Sequence, residues 1–187
     1  GLNINNNCGA LHADALAEYI TDEGADLGIA FDGDADRLVC VDADGQVVDG
    51  DALLCLFALE LMKENKLEKN NLVVTGYSNL AVEASLTPKN ITVSRTKAGD
   101  RYVIEEMRTK DYNFGGEASG HIIFGDYSTT GDGLIAALML LKILKNNDKP
   151  LSKLVSFFEP FPQVMKSVKV KEKKDLEKLS SVQKIIK

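Results

Sequence analysis

Residues 27–37 read LGIAFDGDADR, an apolar run that passes directly into an acidic loop. The run is short, continuously apolar and followed by a glycine-bearing loop, a pattern that predicts a buried β-strand. Asp32, Asp34 and Asp36 therefore lie together just beyond the carboxyl end of a strand, which is where α/β proteins bind their ligands.

The acidic loop is a candidate metal site. Three formal negative charges in one loop repel each other strongly unless a cation lies among them. Carboxylate oxygens at alternate positions suit Mg²⁺, which binds oxygen at about 2.0 to 2.1 Å. We therefore predict a magnesium site at Asp32, Asp34 and Asp36, able to receive a phosphate group.

Three other structures have acidic loops of similar composition. A calcium-binding EF-hand starting at Asp32 requires glycine at its sixth position and glutamate at its twelfth, where this chain has Arg37 and Ala43. A haloacid-dehalogenase phosphatase, with Asp32 as nucleophile, stays open as an alternative, although that family has Thr or Val where Asp36 stands. A solvated acidic turn without an ion is less consistent with the buried strand before the loop and Arg37 at its end.

Composition limits the classes of function. The chain has 187 residues, of which 44% are hydrophobic, so it can form one good core or two small ones. Its formal charge of −6 gives no electrostatic reason to expect nucleic acid as a partner, and the basic stretch 166–178 is interleaved with acidic residues and valines.

Cysteine content and hydropathy indicate the cellular compartment in which we expect the protein. Cys8, Cys40 and Cys55 are odd in number and lack metal-ligand spacing, and Cys40 and Cys55 lie in apolar runs typical of buried thiols, so we expect a reducing cytoplasm. The sequence has no run of 18 apolar residues, and no charged start followed by an apolar stretch. We therefore expect neither secretion nor a membrane partner.

After the acidic loop, the pattern predicts a β-hairpin and then alternating strands and helices. Residues 38–41 and 47–48 form the hairpin around the turn Asp44-Gly45, and helical spacing begins at Asp51, which is able to cap that helix. The later predicted strands are 72–75, 91–94 and one that runs into Gly115. Of the later predicted helices, one starts at Asn79, one spans 99–109 and one spans 132–144. This alternation predicts an α/β fold with mixed, mostly parallel sheets flanked by helices. A strand through Val164, Val168 and Val170 and a helix over 175–186 would then open another domain.

Residues 115–121, GGEASGH, are a second candidate site. Glycines on both sides allow the backbone to approach a ligand, and Glu117 and Ser119 would project in the same direction from an extended segment, which suits sugar hydroxyls. A glycine-rich hairpin in which Ser119 satisfies its own backbone is an equally good interpretation. The sequence favours neither a structural nor a functional role for His121.

Residues 96–101, TKAGDR, follow a predicted strand and precede a predicted helix, where backbone amides and Lys97 can receive an anion. The alternative is a capped helix start with Asp100 and Arg101 paired in solvent. Residues 129–133, TTGDG, are similarly explained as a helix cap.

Together these segments resemble the α-D-phosphohexomutases, which share a D-G-D-x-D-R metal loop and a G-E-x-S-G sugar loop. Residues 32–37 and 116–120 match the two motifs in that order. Within the family, the chain is most similar to the bacterial phosphoglucosamine mutases, which typically carry segments like GDRYV at 99–103, TTGDG at 129–133 and C-G-x-x-H at 8–12.

The resemblance implies a mechanism. An enzyme phosphoserine phosphorylates the sugar phosphate, the bisphosphate turns around, and the other phosphate returns to the serine. It also implies that Asp32, Asp34 and Asp36 hold Mg²⁺ and that Arg37 lies beside the transferring group. Glu117 and Ser119 would hydrogen-bond to the hydroxyls of a hexosamine phosphate. The resemblance also makes Lys97 and His121 candidates for phosphate contact or proton transfer.

Two family motifs are missing from the sequence: the S-H-N phosphoserine loop of the first domain and the R-x-S-G-T-E loop of the fourth. The resemblance therefore implies an internal piece of an enzyme. Residues 1–48 would be the end of domain two, residues 49–160 domain three, and residues 161–187 the truncated start of domain four. The missing domains one and four would then be its partners, and the isolated chain would be inactive.

Overall fold

The computed structural model describes residues 2–10, 12–164, 166, 169, 172 and 178–186. In these residues helices cover two sheets, one of three strands and one of four. The helices are α1 Asp14–Glu23, α2 Gly50–Lys63, α3 Ala81–Leu86, α4 Asp100–Lys110, α5 Gly133–Asn147, α6 Leu151–Leu154 and α7 Ser180–Ile186. The strands are β1 Leu27–Phe31, β2 Leu38–Asp42, β3 Val47–Val48, β4 Asn71–Thr75, β5 Thr92–Thr96, β6 Phe114–Gly116 and β7 Ile122–Phe124.

The three-stranded sheet is antiparallel, in the order β1-β2-β3. Leu27 pairs with Asp42 and Phe31 pairs with Leu38, so the acidic loop is the connection between β1 and β2. The predicted hairpin is present, because the Gly45 amide donates to the Asp42 carbonyl at 3.0 Å. The pairing therefore fixes both ends of the acidic loop.

The four-stranded sheet has the order β5-β4-β6-β7. Strands β5, β4 and β6 run parallel, whereas β7 is antiparallel to β6 because a short turn returns the chain directly. The prediction of a mostly parallel sheet therefore applies to this sheet and not to the first one. Since parallel strands end at one edge, the loops that follow β4, β5 and β6 lie side by side.

The two sheets share one hydrophobic core. Leu38 and Cys40 of β2 belong to the same buried cluster as Leu72 and Val74 of β4, and α2 and α5 supply most of the remaining side chains. Burial raises the pKa of the Cys40 thiol to about 12. This shared core holds the acidic loop in a fixed position relative to the loops of the four-stranded sheet.

Phe57 of α2 is central to this core. Its side chain is 1% exposed, and its ring packs edge-on against Phe124 at 5.1 Å and Phe114 at 6.2 Å between centroids. Phe57→Ala is therefore expected to lower the free energy of unfolding of the chain by about 3 to 5 kcal/mol in urea titrations. The control is Phe161→Ala, because Phe161 is 51% exposed and the same truncation should cost about 0.5 kcal/mol or less. Equal losses for the two variants would contradict this description of the core.

The sequence predicts Asp51 as the cap of α2, and this prediction is wrong. Asp49 caps the helix, with its Oδ1 accepting from the Asp51 amide at 2.7 Å. The Asp51 carboxylate is buried and accepts from the Asn79 amide at 2.6 Å, and burial raises its pKa. The Asn79 side chain in turn pairs with both the amide and the carbonyl of Phe161, at 3.0 and 2.9 Å.

The C-terminal expectations fall largely outside the described residues. Of the predicted strand through Val164, Val168 and Val170, only Val164 is described. Of the predicted helix over 175–186, only residues 180–186 are helical, as α7; residues 178 and 179 lie before it, and residues 175–177 are not described. Within the described ranges, no helix is long and apolar enough to cross a membrane.

Candidate functional site

The acidic loop brings the three predicted ligands together. One oxygen from each of Asp32, Asp34 and Asp36 lies within 4.8 Å of the others. The loop turns because Ala35 has a positive φ of 57° and its amide donates to the Asp32 carbonyl at 3.1 Å. The Arg37 amide then donates to Asp32 Oδ1 at 3.2 Å, which closes the loop.

The charges of the loop are not balanced by its own residues. Arg37 Nε lies 3.7 Å from Asp32 Oδ2 and 3.9 Å from Asp36 Oδ1, so one guanidinium faces a cluster of three carboxylates. The pKa of Asp36 is raised, chiefly by desolvation and then by the neighbouring Asp32 carboxylate. Asp36 Oδ1 is buried and has no hydrogen-bond partner among the described residues. An all-oxygen donor set with excess negative charge and an orphaned carboxylate oxygen fits Mg²⁺.

His121 connects the acidic loop to the second candidate site. Its side chain is 4% exposed, and its Nδ1 lies 3.1 Å from Asp36 Oδ2. Its Nε2 accepts from the Gly131 amide at 3.1 Å. An acceptor at Nε2 requires the neutral tautomer to carry its proton on Nδ1, so Nδ1–H donates to Asp36. The Asp100 carboxylate lies farther away, at 3.9 Å from Nε2.

Residues 129–133 also hold the acidic loop. The cap interpretation is correct, because Asp132 Oδ1 accepts from the Ile135 amide at 2.9 Å at the start of α5. The Gly133 amide donates to the Ala35 carbonyl at 2.9 Å, and a Cβ at Gly133 would lie 2.6 Å from the Arg37 carbonyl oxygen. The local sequence predicts only the helix cap, and the glycines on both sides of Asp132 are the only local signal of the contact with the acidic loop.

The sequence predicts that Glu117 and Ser119 lie on an extended segment, and this prediction is wrong. Residues 117–120 form a tight turn between β6 and β7, in which the Gly120 amide donates to the Glu117 carbonyl at 3.0 Å and Gly120 has a φ of 89°. Glu117 Oε1 accepts from the Gly99 amide at 3.2 Å. Ser119 lines a groove of about 340 Å³ that it shares with Asp14 and Asp49. The turn therefore directs the two side chains to different surroundings.

Lys97 lies just beyond the carboxyl end of β5, and Glu117 lies just beyond that of β6, so both lie at one edge of the parallel part of the sheet. Lys97 Nζ lies 6.0 Å from the centroid of the Tyr102 ring. Asp100 Oδ1 accepts from the adjacent Arg101 amide at 2.7 Å, but the N-cap residue of α4 is Gly99 and no side chain caps this helix. This edge is where a ligand of an α/β sheet would bind.

Two close backbone contacts hold the sugar loop, one against β2 and one against the start of α2. The Leu38 amide donates to the Gly120 carbonyl at 3.0 Å, and a Cβ at Gly120 would collide with the Leu38 carbonyl oxygen. A Cβ at Gly50 would collide with the Ala118 carbonyl oxygen in the same way. The acidic loop, the sugar loop and the start of α5 thus form one packed unit.

Two family models match the chain. Residues 7–45 match "Phosphoglucomutase/phosphomannomutase, alpha/beta/alpha domain II", and residues 49–161 match "Phosphoglucomutase/phosphomannomutase, alpha/beta/alpha domain III". Asp32, Asp34 and Asp36 lie in the first match, and Glu117, Ser119 and His121 lie in the second.

Curated relatives match over essentially the whole chain. The chain is 51% identical to the phosphoglucosamine mutase of Myxococcus xanthus over 187 residues, and 48% identical to that of Anaeromyxobacter dehalogenans over 186 residues. The chain covers 41% of each relative, so it spans about two fifths of the length of these proteins.

Solved structures confirm the α/β prediction. The chain is similar to a phosphoglucomutase/phosphomannomutase family protein of Burkholderia thailandensis, with a TM-score of 0.71 and 28% identity over 79% of this chain and 32% of that one. It shares its fold with N-acetylphosphoglucosamine mutase of Aspergillus fumigatus, solved with GlcNAc-6P and magnesium, with a TM-score of 0.59 and 20% identity over 83% of this chain and 38% of that one.

Proposed function

Because the chain belongs to the phosphoglucomutase/phosphomannomutase family, we propose that it is an internal part of a phosphoglucosamine mutase. The full-length protein interconverts glucosamine 6-phosphate and glucosamine 1-phosphate and so feeds the synthesis of UDP-N-acetylglucosamine and the cell wall. The observation that carries this proposal is the packed unit of acidic loop and sugar loop, in which Asp36 and His121 are 3.1 Å apart. The names of the curated relatives support the choice of substrate.

We assign the metal site to the acidic loop. Asp32, Asp34 and Asp36 hold Mg²⁺, which when bound neutralises negative charge on a transferring phosphoryl group. Arg37 lies beside these carboxylates and contributes positive charge to the same group. Phosphoryl transfer depends mainly on positioning and charge neutralisation, and these residues serve both.

We assign substrate binding to the edge of the four-stranded sheet. Glu117 accepts a hydrogen bond from a sugar hydroxyl at this edge, Ser119 binds another hydroxyl from the groove that it lines, and Lys97 binds the phosphate that is not being transferred. In the proposed reaction a phosphoserine oxygen loses its phosphoryl group to a sugar hydroxyl, which gives a bisphosphate. The other phosphate then returns to the serine. We propose that the serine and a further phosphate-binding loop lie in parts of the full-length protein outside this sequence, namely its first and fourth domains.

A phosphomannomutase or phosphoglucomutase is the nearest alternative within the family. We expect the full-length protein to convert glucosamine 6-phosphate with a kcat/KM at least about tenfold above that for mannose 6-phosphate or glucose 6-phosphate, because a site with polar partners for one substituent discriminates against its replacement. Parallel steady-state assays with the three sugar phosphates measure this. A higher kcat/KM for either of the other sugars would overturn the assignment of substrate.

The family assignment leaves the haloacid-dehalogenase alternative without support. A cytoplasmic location goes with the proposal, because Cys8, Cys40 and Cys55 are all unpaired thiols and two of them are buried. The acidic net charge gives the proposal no nucleic-acid partner.

A further inference from the structure

Recognition of an amino sugar calls for a carboxylate at the substrate-binding edge of the four-stranded sheet. Glucosamine phosphates differ from glucose phosphates at the carbon next to the anomeric carbon, which carries an amine that is largely protonated near neutral pH. A neutral acceptor takes a hydrogen bond from an ammonium or from a hydroxyl alike. A carboxylate favours the ammonium, because the attraction of opposite charges is added to the hydrogen bond.

Asp100 lies at this edge, as the first residue of α4 and just after the end of β5. The Gly99 amide, one residue earlier, donates to Glu117 Oε1 at 3.2 Å. Asp100 Oδ2 lies 3.9 Å from His121 Nε2, and His121 Nδ1 lies 3.1 Å from Asp36 Oδ2 of the acidic loop. A sugar phosphate that contacts both the acidic loop and Glu117 must therefore lie close to the Asp100 carboxylate.

One oxygen of Asp100 is available to a ligand. The side chain is 51% exposed, and its Oδ1 accepts from the adjacent Arg101 amide at 2.7 Å. Among the described residues no donor lies within hydrogen-bonding distance of Oδ2, since 3.9 Å to His121 Nε2 exceeds that distance. An ion pair between Asp100 and Arg101, which the sequence left open, is absent from the part of the chain that the structure describes.

Other carboxylates near the two loops have different partners. Those of the acidic loop are assigned to Mg²⁺, and Glu117 is held by the Gly99 amide and assigned to a sugar hydroxyl. Asp132 Oδ1 caps α5, and Asp49 Oδ1 caps α2. Asp14 lines the groove of Ser119 and is the rival candidate for recognition of an ammonium group.

We propose that Asp100 determines specificity for amino sugars, with its Oδ2 accepting a hydrogen bond from the ammonium group of a glucosamine phosphate. This inference rests on the proposed function and names the residue that selects the substrate. Asp100 takes no part in phosphoryl transfer, so its charge affects the choice of sugar and not the chemical step. Asp100→Asn isolates this charge, because asparagine keeps an acceptor oxygen of nearly the same shape.

The experiment supplies the full-length protein with glucosamine 6-phosphate and glucose 6-phosphate in one reaction, which gives the ratio of the two kcat/KM values even where glucose reacts slowly. Asp100→Asn is expected to lower kcat/KM for glucosamine 6-phosphate by about tenfold and to change that for glucose 6-phosphate by less than about threefold. A purely structural role would lower both values together. An unchanged ratio, with or without a loss of activity, would overturn the proposal.

Three further variants complete the experiment, with melting curves to show that each is folded at the assay temperature. Glu105→Gln is the matched control, because Glu105 is exposed on the same helix and its loss changes the net charge equally while leaving the ratio unchanged. Asp100→Glu keeps the charge and should retain a higher ratio than Asp100→Asn; a ratio no higher would contradict the proposal. A fall of the ratio in Asp14→Asn alone would assign recognition to Asp14 and overturn the role of Asp100. Preference of the wild-type protein for glucose 6-phosphate would instead overturn the proposed function itself.

Discussion

Replacing Asp32, Asp34 and Asp36 together with asparagine is expected to leave the full-length protein folded but without measurable mutase activity. A bound metal ion contributes several kcal/mol of charge stabilisation to reactions of this kind, so we expect kcat/KM to fall by about a thousandfold or more. Steady-state assays of glucosamine 6-phosphate conversion measure the loss. Unimpaired conversion by the triple variant would remove the basis of the proposed function.

We expect the triple variant to keep its fold, because asparagine can accept the same local hydrogen bonds as aspartate. Asparagine keeps a carbonyl oxygen for the Arg37 amide, which now donates to Asp32, and another for His121, which now donates to Asp36. The raised pKa of Asp36 means that its ionisation costs stability in the metal-free fold as pH rises through that pKa. At neutral pH the metal-free variant should therefore be at least as stable as the metal-free wild type.

Melting curves with and without Mg²⁺ provide the second readout. Wild type should gain about 2.7 kcal/mol when Mg²⁺ is a hundredfold above its dissociation constant, whereas the triple variant should gain nothing. The matched control changes three exposed aspartates outside the site, Asp22, Asp26 and Asp44, to asparagine. This control alters the net charge by the same amount and should keep both the activity and the response to Mg²⁺.

The second large effect concerns the isolated chain. We expect the purified 187-residue chain to give no steady conversion of glucosamine 6-phosphate, because the sequence contains no S-H-N loop to carry the phosphoryl group. Without a phosphorylated residue there is no donor for the first transfer, and without a donor the bisphosphate does not form. A ³¹P NMR time course of substrate and product measures this directly.

The full-length protein under identical conditions is the positive control, and circular dichroism of the chain shows that the result is not caused by unfolding. The chain covers 41% of its curated relatives, and on our proposal the full-length protein supplies the remaining domains. Conversion that continues over many turnovers and scales with the concentration of the isolated chain would contradict the interpretation as an incomplete enzyme.

Features that depend on neighbouring residues can be predicted from the sequence alone. An apolar run followed by D-G-D-A-D-R places three carboxylates after a strand, whatever the rest of the chain does, and the structure brings them within 4.8 Å of each other. The alternation of short apolar runs and amphipathic stretches likewise predicted the four-stranded α/β sheet, and its motifs predicted the family.

Contacts between residues that are distant in the sequence become visible only in the folded protein. His121 lies 85 positions from Asp36, and nothing in either segment indicates that they share a hydrogen bond. Asp49 and Asp51 are equivalent as candidate caps of α2 in the local pattern, and only the burial of Asp51 against Asn79 distinguishes them. Local preferences act over a few residues, whereas these contacts exist because two sheets close on the shared core around α2 and α5 and bring their loops together.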